Sequence, residues 1–263
     1  MKIASYNIMS GGFAGYDSAA PVPERLPQIQ KVLVEIAADV VGLIDTFRWD
    51  RLYSSAQLQD MFGYEYVTCI NLNDTRMSDT SNGLTLLSKQ AWTDCKVARI
   101  ATRDALVASF EINRRTVTLA LAYLDDLSED VRLAQIQALL GVQPDILMGD
   151  LNTIAPSDTS LLTRGLQDFY SANPSLQEEL GPIIQDMQRG DVIELLEARG
   201  FVDAGANGKP TLPTQLFPAA TTKPFLRLDY CLHKPAIAVS DFTVHDTPAA
   251  HRASDHLPIY FTI

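Results

Sequence analysis

The fold of this chain is decided by one stretch near its middle, Asp145-Ile146-Leu147-Met148-Gly149-Asp150-Leu151-Asn152. Its apolar run is short and predicts a buried β-strand, and the glycine frees the backbone at the point where the strand ends. Asp150 and Asn152 flank Leu151, so their side chains project to the same side of the chain. A carboxylate and an amide placed in this way could hold a water and a phosphate oxygen together, although Asp and Asn after a strand are also common turn formers.

On both sides of this stretch the sequence predicts further strands and helices. Residues 154–200 are acidic and mostly helical in pattern, and a Pro/Thr-rich loop follows at 210–224; long excursions of this kind often select the substrate. Apolar spacing and helix-start residues predict helices at 24–38, 54–63 and 128–140. Strands are predicted at 39–45, 64–70, 83–88, 94–101, 105–112, 116–124, 145–148, 226–232 and after Pro258.

The composition predicts a single α/β domain over residues 1–263. The chain is 46% hydrophobic, which is enough for a substantial core, and no apolar stretch approaches the roughly 18 residues of a membrane span, so we expect no stable membrane insertion. The N-terminus enters a β-like segment without the features of a signal peptide, and we therefore expect a cytoplasmic protein. The three cysteines are widely separated and predict neither a disulfide framework nor a zinc site.

The charge limits the classes of partner. A formal net charge of −11 repels polyanions over most of the surface and disfavours nonspecific binding of nucleic acid. A bound divalent cation and a few basic side chains can still invert the field locally. Arg103, Arg114 and Arg115 are too few to form a phosphate-binding track.

Two polar positions near the C-terminus also indicate chemistry. Asp229 lies inside the apolar run 225–232, where an unpaired carboxylate would cost several kcal/mol, so it needs a cation such as Arg227, a histidine or a metal beside it. Ser254-Asp255-His256 places an acid next to the side chain that titrates near neutrality, although a helix cap or loop contact explains the same residues.

Asn7 and Asp45 end the first two strands of the chain. If those strands are neighbours, both side chains reach the same rim of the sheet, where a cation with oxygen ligands could sit. Each residue alone is an ordinary strand-terminating polar residue, and the argument rests on the pair.

These stretches together resemble the successive motifs of the endonuclease/exonuclease/phosphatase superfamily, in the family's order and over essentially the whole chain. Each motif is short, but the combination is highly specific. The motifs are Ser5-Tyr6-Asn7-Ile8, Asp39-Val40-Val41-Gly42-Leu43-Ile44-Asp45, Ser81-Asn82-Gly83-Leu84-Thr85-Leu86-Leu87-Ser88, Gly149-Asp150-Leu151-Asn152, Arg227-Leu228-Asp229-Tyr230 and Ser254-Asp255-His256-Leu257-Pro258.

The resemblance implies an α/β four-layer sandwich, in which two mixed β-sheets pack face to face with helices outside. It also implies a Mg²⁺ site at one rim, with Mn²⁺ as a possible substitute. Asn7 and Asp45 would hold the metal, and Asp255 would lie close by or contribute a ligand.

The resemblance also assigns catalytic roles. Asp150 and Asn152 would orient the attacking water and the scissile phosphate. Asp229 would orient His256 and set its tautomer, while the imidazole contacts phosphate or helps to activate water. Either Asp150 or His256 could be the base.

Two positions depart from the family pattern. The family usually has Glu where this chain has Asp45, which is one methylene shorter, so the metal would have to move or be reached through water. Many relatives have His where this chain has Tyr123. Apurinic-site nucleases have a tyrosine at a similar place, which suggests that this phenol hydrogen-bonds the phosphate or the leaving oxygen; an aromatic residue on a buried strand is the alternative.

Two functions from different classes follow. The first is hydrolysis of a phosphoester bond by metal-assisted attack of water on phosphorus, by a monomeric phosphodiesterase, nuclease or phosphatase. Its substrate would be a small molecule, a lipid head group or nucleic acid. The second is a catalytically reduced relative that binds a phosphorylated ligand or a protein partner, and the residues at positions 45 and 123 motivate it.

Overall fold

Two six-stranded mixed sheets form the framework of the computed structural model, which describes residues 1–14, 24–76, 82–206, 208–217 and 223–263. The strands are β1 (Lys2–Asn7), β2 (Val40–Ile44), β3 (Tyr66–Asn71), β4 (Gly83–Ser88), β5 (Asp94–Ile100), β6 (Arg103–Ile112), β7 (Arg115–Tyr123), β8 (Ile146–Asp150), β9 (Val202–Asp203), β10 (Asp229–His233), β11 (Ser240–Val244) and β12 (Ile259–Thr262). The helices are α1 (Leu26–Ile36), α2 (Trp49–Leu52), α3 (Ser55–Phe62), α4 (Glu129–Leu140), α5 (Thr159–Ala172), α6 (Pro174–Met187), α7 (Asp191–Ala198) and α8 (Ala250–Ala253).

The strand order places the motif-bearing strands inside each sheet, away from its edge strands. The first sheet has the order β11-β12-β1-β2-β4-β3 and the second β5-β6-β7-β8-β10-β9. In each sheet one central pair is parallel, β1 with β2 and β7 with β8, and the other pairs are antiparallel. The helices surround these sheets, so the predicted four-layer α/β sandwich is confirmed.

The two sheets pack closely against one another at their centres. A Cβ atom added to Gly42 on β2 would lie 2.6 Å from Leu121 Cδ1 and 2.7 Å from Met148 Cε in the opposite sheet. Every residue of β2, β4, β8 and β10 is buried. Burial on both faces explains why these strands are continuous apolar runs rather than alternating ones.

Most predicted elements are confirmed, and the differences have local causes. The strand predicted at 226–232 begins at Asp229, because Leu226 makes only a single bridge to Leu212. The sequence did not predict β9, which has 2 residues, or β11, which is partly exposed and lacks a periodic apolar pattern. Ser81 of the third motif and part of the 210–224 loop lie outside the described residues.

The acidic segment at 154–200 is helical, as predicted, and has a small core of its own. Helices α5 and α6 pack their apolar faces on residues just before β10, among them Phe225, Leu226 and Leu228. This cluster also contains Ile154, which closely follows the Asp150 motif. The segment therefore lies beside the strand ends that carry Asp150 and Asp229.

None of the described helices is both long and apolar enough to cross a membrane. All three cysteines are free.

We predict that Gly149→Ala strongly destabilises the fold. The φ angle of Gly149 is 146°, and a Cβ atom there would lie 1.9 Å from the Ala122 carbonyl oxygen on the neighbouring strand. We expect the free energy of unfolding, measured by urea titration, to fall by about 3 kcal/mol or more.

Gly181→Ala is the matched control, because a Cβ atom at this position in α6 would meet nothing within 4 Å. The helix propensity of Ala favours this variant, whereas Pro182, which follows directly, disfavours a helical conformation for a residue with a Cβ atom, so the free energy of unfolding should change by less than about 1 kcal/mol. Equal effects of the two substitutions would contradict the close approach at Gly149.

Candidate active site

A hydrogen bond across the two sheets marks the centre of the candidate site. Asn7 ends β1 in one sheet and Asp150 ends β8 in the other, and Asn7 Nδ2 donates to Asp150 Oδ2 at 2.9 Å. Both residues are buried. Two of the predicted site residues, distant in sequence, therefore meet at the rim where the sheets face each other.

His256 and Asp229 form the second part of the site. His256 Nδ1 donates to Asp229 Oδ2 at 2.8 Å, and His256 Nε2 lies 3.8 Å from Asp150 Oδ2. Asp229 pairs with Asp150 in the register between β10 and β8. The other carboxylate oxygen of Asp229 is buried and has no hydrogen-bond partner among the described residues.

The histidine is thus the partner that the buried Asp229 carboxylate requires. Arg227, the alternative considered from the sequence, contacts different acids: its Nε lies 2.8 Å from Asp158 Oδ2 and its Nη1 2.8 Å from Asp203 Oδ2. Arg227 therefore ties β9 and the start of the helical segment to the strand that carries Asp229.

Burial and mutual charge shift the pKa values of this cluster. Burial raises the pKa of the Asp150 carboxyl to about 7, with the His256 imidazolium opposing the shift and the Asp229 charge adding to it. Burial by itself would lower the pKa of His256, but the charges of Asp229 and Asp150 outweigh it and raise that pKa to about 10. The arrangement therefore favours a protonated histidine beside a carboxyl group that titrates near neutrality.

Asn152 and Tyr123 lie beside Asp150. The Asn152 backbone N–H donates to Asp150 Oδ1 at 3.1 Å, and its side-chain Nδ2 donates to the Leu124 carbonyl oxygen at 3.0 Å. Tyr123 ends β7 and pairs with Asp150 in the parallel register between β7 and β8. Asn152 has a positive φ of 49°, which Asn tolerates better than most residues.

Asp45 is held next to Asn7 by the loop that follows β1. Asn7 Oδ1 accepts the Met9 N–H at 3.0 Å, and Asp45 Oδ2 accepts the Ser10 N–H at 2.8 Å. Consecutive backbone N–H groups of the Met9–Ser10 turn therefore bind the two side chains predicted to hold metal. This places Asp45 at the same rim as Asn7, and it is buried there.

The loop before β12 completes the rim. Ser254 Oγ donates to the Asn7 carbonyl oxygen at 2.7 Å and accepts the His256 N–H at 3.2 Å. Asp255 lies between them, partly exposed, with its own carbonyl oxygen accepting the Thr214 N–H at 2.8 Å. All eight residues predicted for the site thus belong to the strand ends and loops of one rim.

The donor set of this rim suits a hard cation. It offers carboxylate and carboxamide oxygens, the ligands that Mg²⁺ prefers, and the buried carboxylates of Asp150 and Asp229 would gain from a nearby positive charge. Among the described residues, however, no three His, Cys, Asp or Glu side chains form a group that could hold an ion. A Mg²⁺ ion at this rim would therefore need Asn7 as one ligand and water molecules in several of the other ligand positions. Protein-bound Mg²⁺ usually keeps several water ligands.

Sequence reasoning missed several residues that shape the site. The Arg25 guanidinium donates to the carbonyl oxygens of Ile8 and Ala253, at 3.0 and 2.6 Å, and so ties the loop after β1 to the loop that carries His256. Arg103 is buried beside Tyr123 rather than exposed for phosphate. No sequence signal identifies Arg25, whereas the apolar run after Arg103 indicated a strand without showing that the arginine itself is buried.

We predict that His256 makes stability depend on pH. Its pKa is about 10 in the fold and about 6.5 when unfolded, so its stabilising contribution is complete below pH 6.5 and is lost as the pH rises to 10. Between pH 7.5 and 10, with chelator present, the free energy of unfolding should fall more in the wild type than in His256→Gln. Equal falls would contradict a protonated His256 between two carboxylates.

Comparisons with known proteins agree with this architecture. An endonuclease/exonuclease/phosphatase protein from Beutenbergia cavernae superposes with a TM-score of 0.67 at 17% identity, covering 99% of this chain and 70% of that one. An AP endonuclease from Archaeoglobus fulgidus gives 0.65 at 19% identity, covering 100% and 99%. The 3′ phosphatase NExo from Neisseria, bound to a product DNA hairpin, gives 0.63 at 20% identity, again covering 100% and 99%. At these identities the superpositions establish a shared fold.

A search of curated proteins found no match. The model of the Endonuclease/Exonuclease/phosphatase family, however, matches residues 4–256. Its members are phosphoesterases, including nucleases and phosphatases, and generally depend on a divalent metal. This chain belongs to the endonuclease/exonuclease/phosphatase family.

Proposed function

We propose that this chain is a Mg²⁺-dependent hydrolase that cleaves phosphoester bonds by attack of water on phosphorus. The observation that carries the proposal is the continuous set of contacts Asp229–His256–Asp150–Asn7, which spans both sheets with distances of 2.8, 3.8 and 2.9 Å. Maintaining two carboxylates and an imidazole in a buried cluster is costly for the fold. Such a cluster is typical of catalytic sites.

The geometry supports different roles for Asp150 and His256. Asp229 accepts a hydrogen bond from the Nδ1–H group of His256, and this contact directs Nε2 of the same ring toward Asp150. A histidine with its pKa raised to about 10 is cationic at neutral pH and suits contact with a phosphate oxygen. Asp150, with its pKa raised to about 7, suits the removal of a proton from water. We therefore assign the base to Asp150.

Asn7 and Asp45 would hold the metal ion, with Asp255 contributing from the adjacent loop. When bound, Mg²⁺ supplies Lewis-acid polarisation of the phosphoryl oxygens. Asn152 orients the phosphate, because its backbone is bonded to Asp150 and its amide nitrogen is bound to the Leu124 carbonyl, which leaves its side-chain oxygen for the cleft. The Tyr123 phenol would bond the phosphate or the leaving oxygen.

Within this reaction we favour small soluble phosphoesters over long nucleic acids. The net charge of −11 opposes the counterion-driven attraction on which nonspecific nucleic-acid binding depends. The helical segment at 154–200 packs beside the ends of the strands that carry Asp150 and Asp229, where it can contact the leaving group. Lipid head groups are the remaining class. A monomeric state and a cytoplasmic location stay predictions.

We predict that the protein hydrolyses p-nitrophenyl phosphate or bis-p-nitrophenyl phosphate with Mg²⁺ or Mn²⁺ and that EDTA abolishes this activity. Asp150→Ala and His256→Ala should each lower kcat/KM by at least about 100-fold, because each removes a group that moves or stabilises charge in the reaction. Release of p-nitrophenol measures the metal dependence of the wild type and the kcat/KM of the two variants. A panel of sugar phosphates, lipid head groups, and plasmid and abasic DNA then ranks the substrates, and small phosphoesters should rank first.

His251→Gln is the control for the histidine variant. His251 is also paired with an aspartate, at 2.8 Å from Asp246 Oδ1, but lies outside the cluster. It should retain wild-type activity. If the wild type shows no metal-dependent turnover of any of these substrates, the protein is instead a binding relative that has lost catalysis.

We also predict that Mg²⁺ stabilises the fold through Asn7 and Asp45. A ligand that binds only the folded state raises Tm, so millimolar Mg²⁺ should raise the wild-type Tm by a few degrees. The rise should disappear in Asp45→Asn, which keeps an oxygen for the Ser10 N–H but removes the charge. Differential scanning calorimetry measures the effect.

Asp104→Asn is the control for this measurement, since Asp104 binds Arg99 and Asn73 away from the cluster. Its Tm should respond to Mg²⁺ as the wild type does. The same rise in Asp45→Asn as in the wild type would exclude Asp45 as a metal ligand.

A further inference from the structure

A buried arginine beside the candidate site has every nitrogen committed to the protein. Arg103 begins β6 and is only 4% exposed. Its Nε donates to Asp74 Oδ2 at 2.6 Å, its Nη1 to the Leu124 carbonyl oxygen at 2.6 Å, and its Nη2 to Asp126 Oδ1 at 3.0 Å. Because all three nitrogens are occupied and the side chain is buried, Arg103 is not placed to bind substrate itself.

The Leu124 carbonyl oxygen is shared between Arg103 and the active-site loop. It accepts Arg103 Nη1 at 2.6 Å and Asn152 Nδ2 at 3.0 Å. The Leu124 N–H in turn donates to the carbonyl oxygen of Asp150 at 3.0 Å. Leu124 therefore links the guanidinium to both residues of the motif, because its carbonyl oxygen binds Arg103 and Asn152 and its N–H group binds Asp150.

Arg103 also contacts the aromatic residue of the site. Its guanidinium carbon lies 5.2 Å from the centre of the Tyr123 ring. A planar cation over a ring face restricts the position of the ring. Through Asp74 on one side and Asp126 on the other, the same guanidinium joins two loops at the edge of the cleft.

We propose that Arg103 is a positioning residue that sets the orientation of the Asn152 carboxamide through the Leu124 carbonyl group. The Leu124 carbonyl oxygen accepts a hydrogen bond from Asn152 Nδ2, so the carboxamide oxygen of Asn152 points away from Leu124. Holding the carbonyl group in place therefore holds the Asn152 oxygen that would meet the phosphate or the water. The guanidinium fork is required because it binds the carbonyl and two carboxylates at once. The catalytic consequence rests on the proposed function, whereas the orientation of Asn152 does not.

A double-mutant cycle tests the catalytic consequence. Arg103→Lys keeps a positive charge but cannot make all three contacts, and it should lower kcat by about 10- to 100-fold while KM changes little. In an Asn152→Ala background the same substitution should change kcat by less than about 2-fold, because the group that it positions is absent. Equal losses in both backgrounds would overturn the proposal and leave Arg103 with a purely structural role.

Arg99→Lys is the matched control. Arg99 lies on the adjacent strand and bonds Asp104 Oδ1 at 3.0 Å and the Asn73 carbonyl oxygen at 2.8 Å, without contacting Leu124. It should leave kcat unchanged. If Arg103→Lys does not fold, Asp126→Asn weakens one contact of the guanidinium at a residue whose side chain is 52% exposed. That variant should show a smaller loss of kcat, again absent in the Asn152→Ala background.

A spectroscopic readout separates this proposal from the proposed function. The side-chain amide signals of Asn152 in a ¹⁵N-labelled sample, identified by their loss in Asn152→Ala, should shift and exchange faster with solvent in Arg103→Lys but not in Arg99→Lys. This holds even if the wild type hydrolyses no phosphoester, in which case only the proposed function fails. Unchanged Asn152 signals in Arg103→Lys would overturn the positioning role.

Discussion

The hydrogen bond from Asn7 to Asp150 joins the two sheets at the rim where the site is built. It requires a carboxylate at the end of one buried strand and a carboxamide at the end of another, both away from water. A carboxylate in such a place is tolerated only with compensating partners, and His256, the Asn152 backbone and Asn7 supply them. The arrangement of the surrounding loops follows from the need to hold these partners in place.

Buried arginines are the means by which this acidic protein holds those loops. Arg227 binds Asp158 and Asp203, and Arg132 binds Glu129 at 2.6 Å and Asp186 at 2.8 Å, each guanidinium being almost completely buried. Glu129 in turn accepts the Thr153 hydroxyl at 2.9 Å, directly after Asn152. Breaking a buried pair leaves an uncompensated charge, so these links fix the loops firmly. Arg103 is the member of this group that bonds the peptide contacting Asn152.

The burial that makes the cluster costly also gives it chemical use. Removing Asp150 from water raises its pKa to about 7, where a carboxylate can accept a proton from water and release it again. The negative charges of Asp229 and Asp150 outweigh the effect of burial on His256. They raise the pKa of the imidazole and keep it protonated. One compact set of charges therefore contains both a carboxyl group that titrates near neutrality and a protonated imidazole, the two groups to which the proposed function assigns the roles of base and phosphate contact.

The sequence by itself determined the polar residues at strand ends, the buried strands between them and most of the helices. Apolar periodicity and strand-terminating polar side chains are local properties of the sequence. It also indicated that Asp229 needs a partner. The residues alone left a cation such as Arg227, a histidine or a metal as that partner, and the family resemblance implied His256. The tertiary structure places His256 beside Asp229 and pairs Arg227 with other acids. The meeting of Asn7 with Asp150, and of Arg103 with Leu124, likewise depends on which strands are neighbours and in what register. Those contacts join residues far apart along the chain, and no local pattern encodes the distance between them.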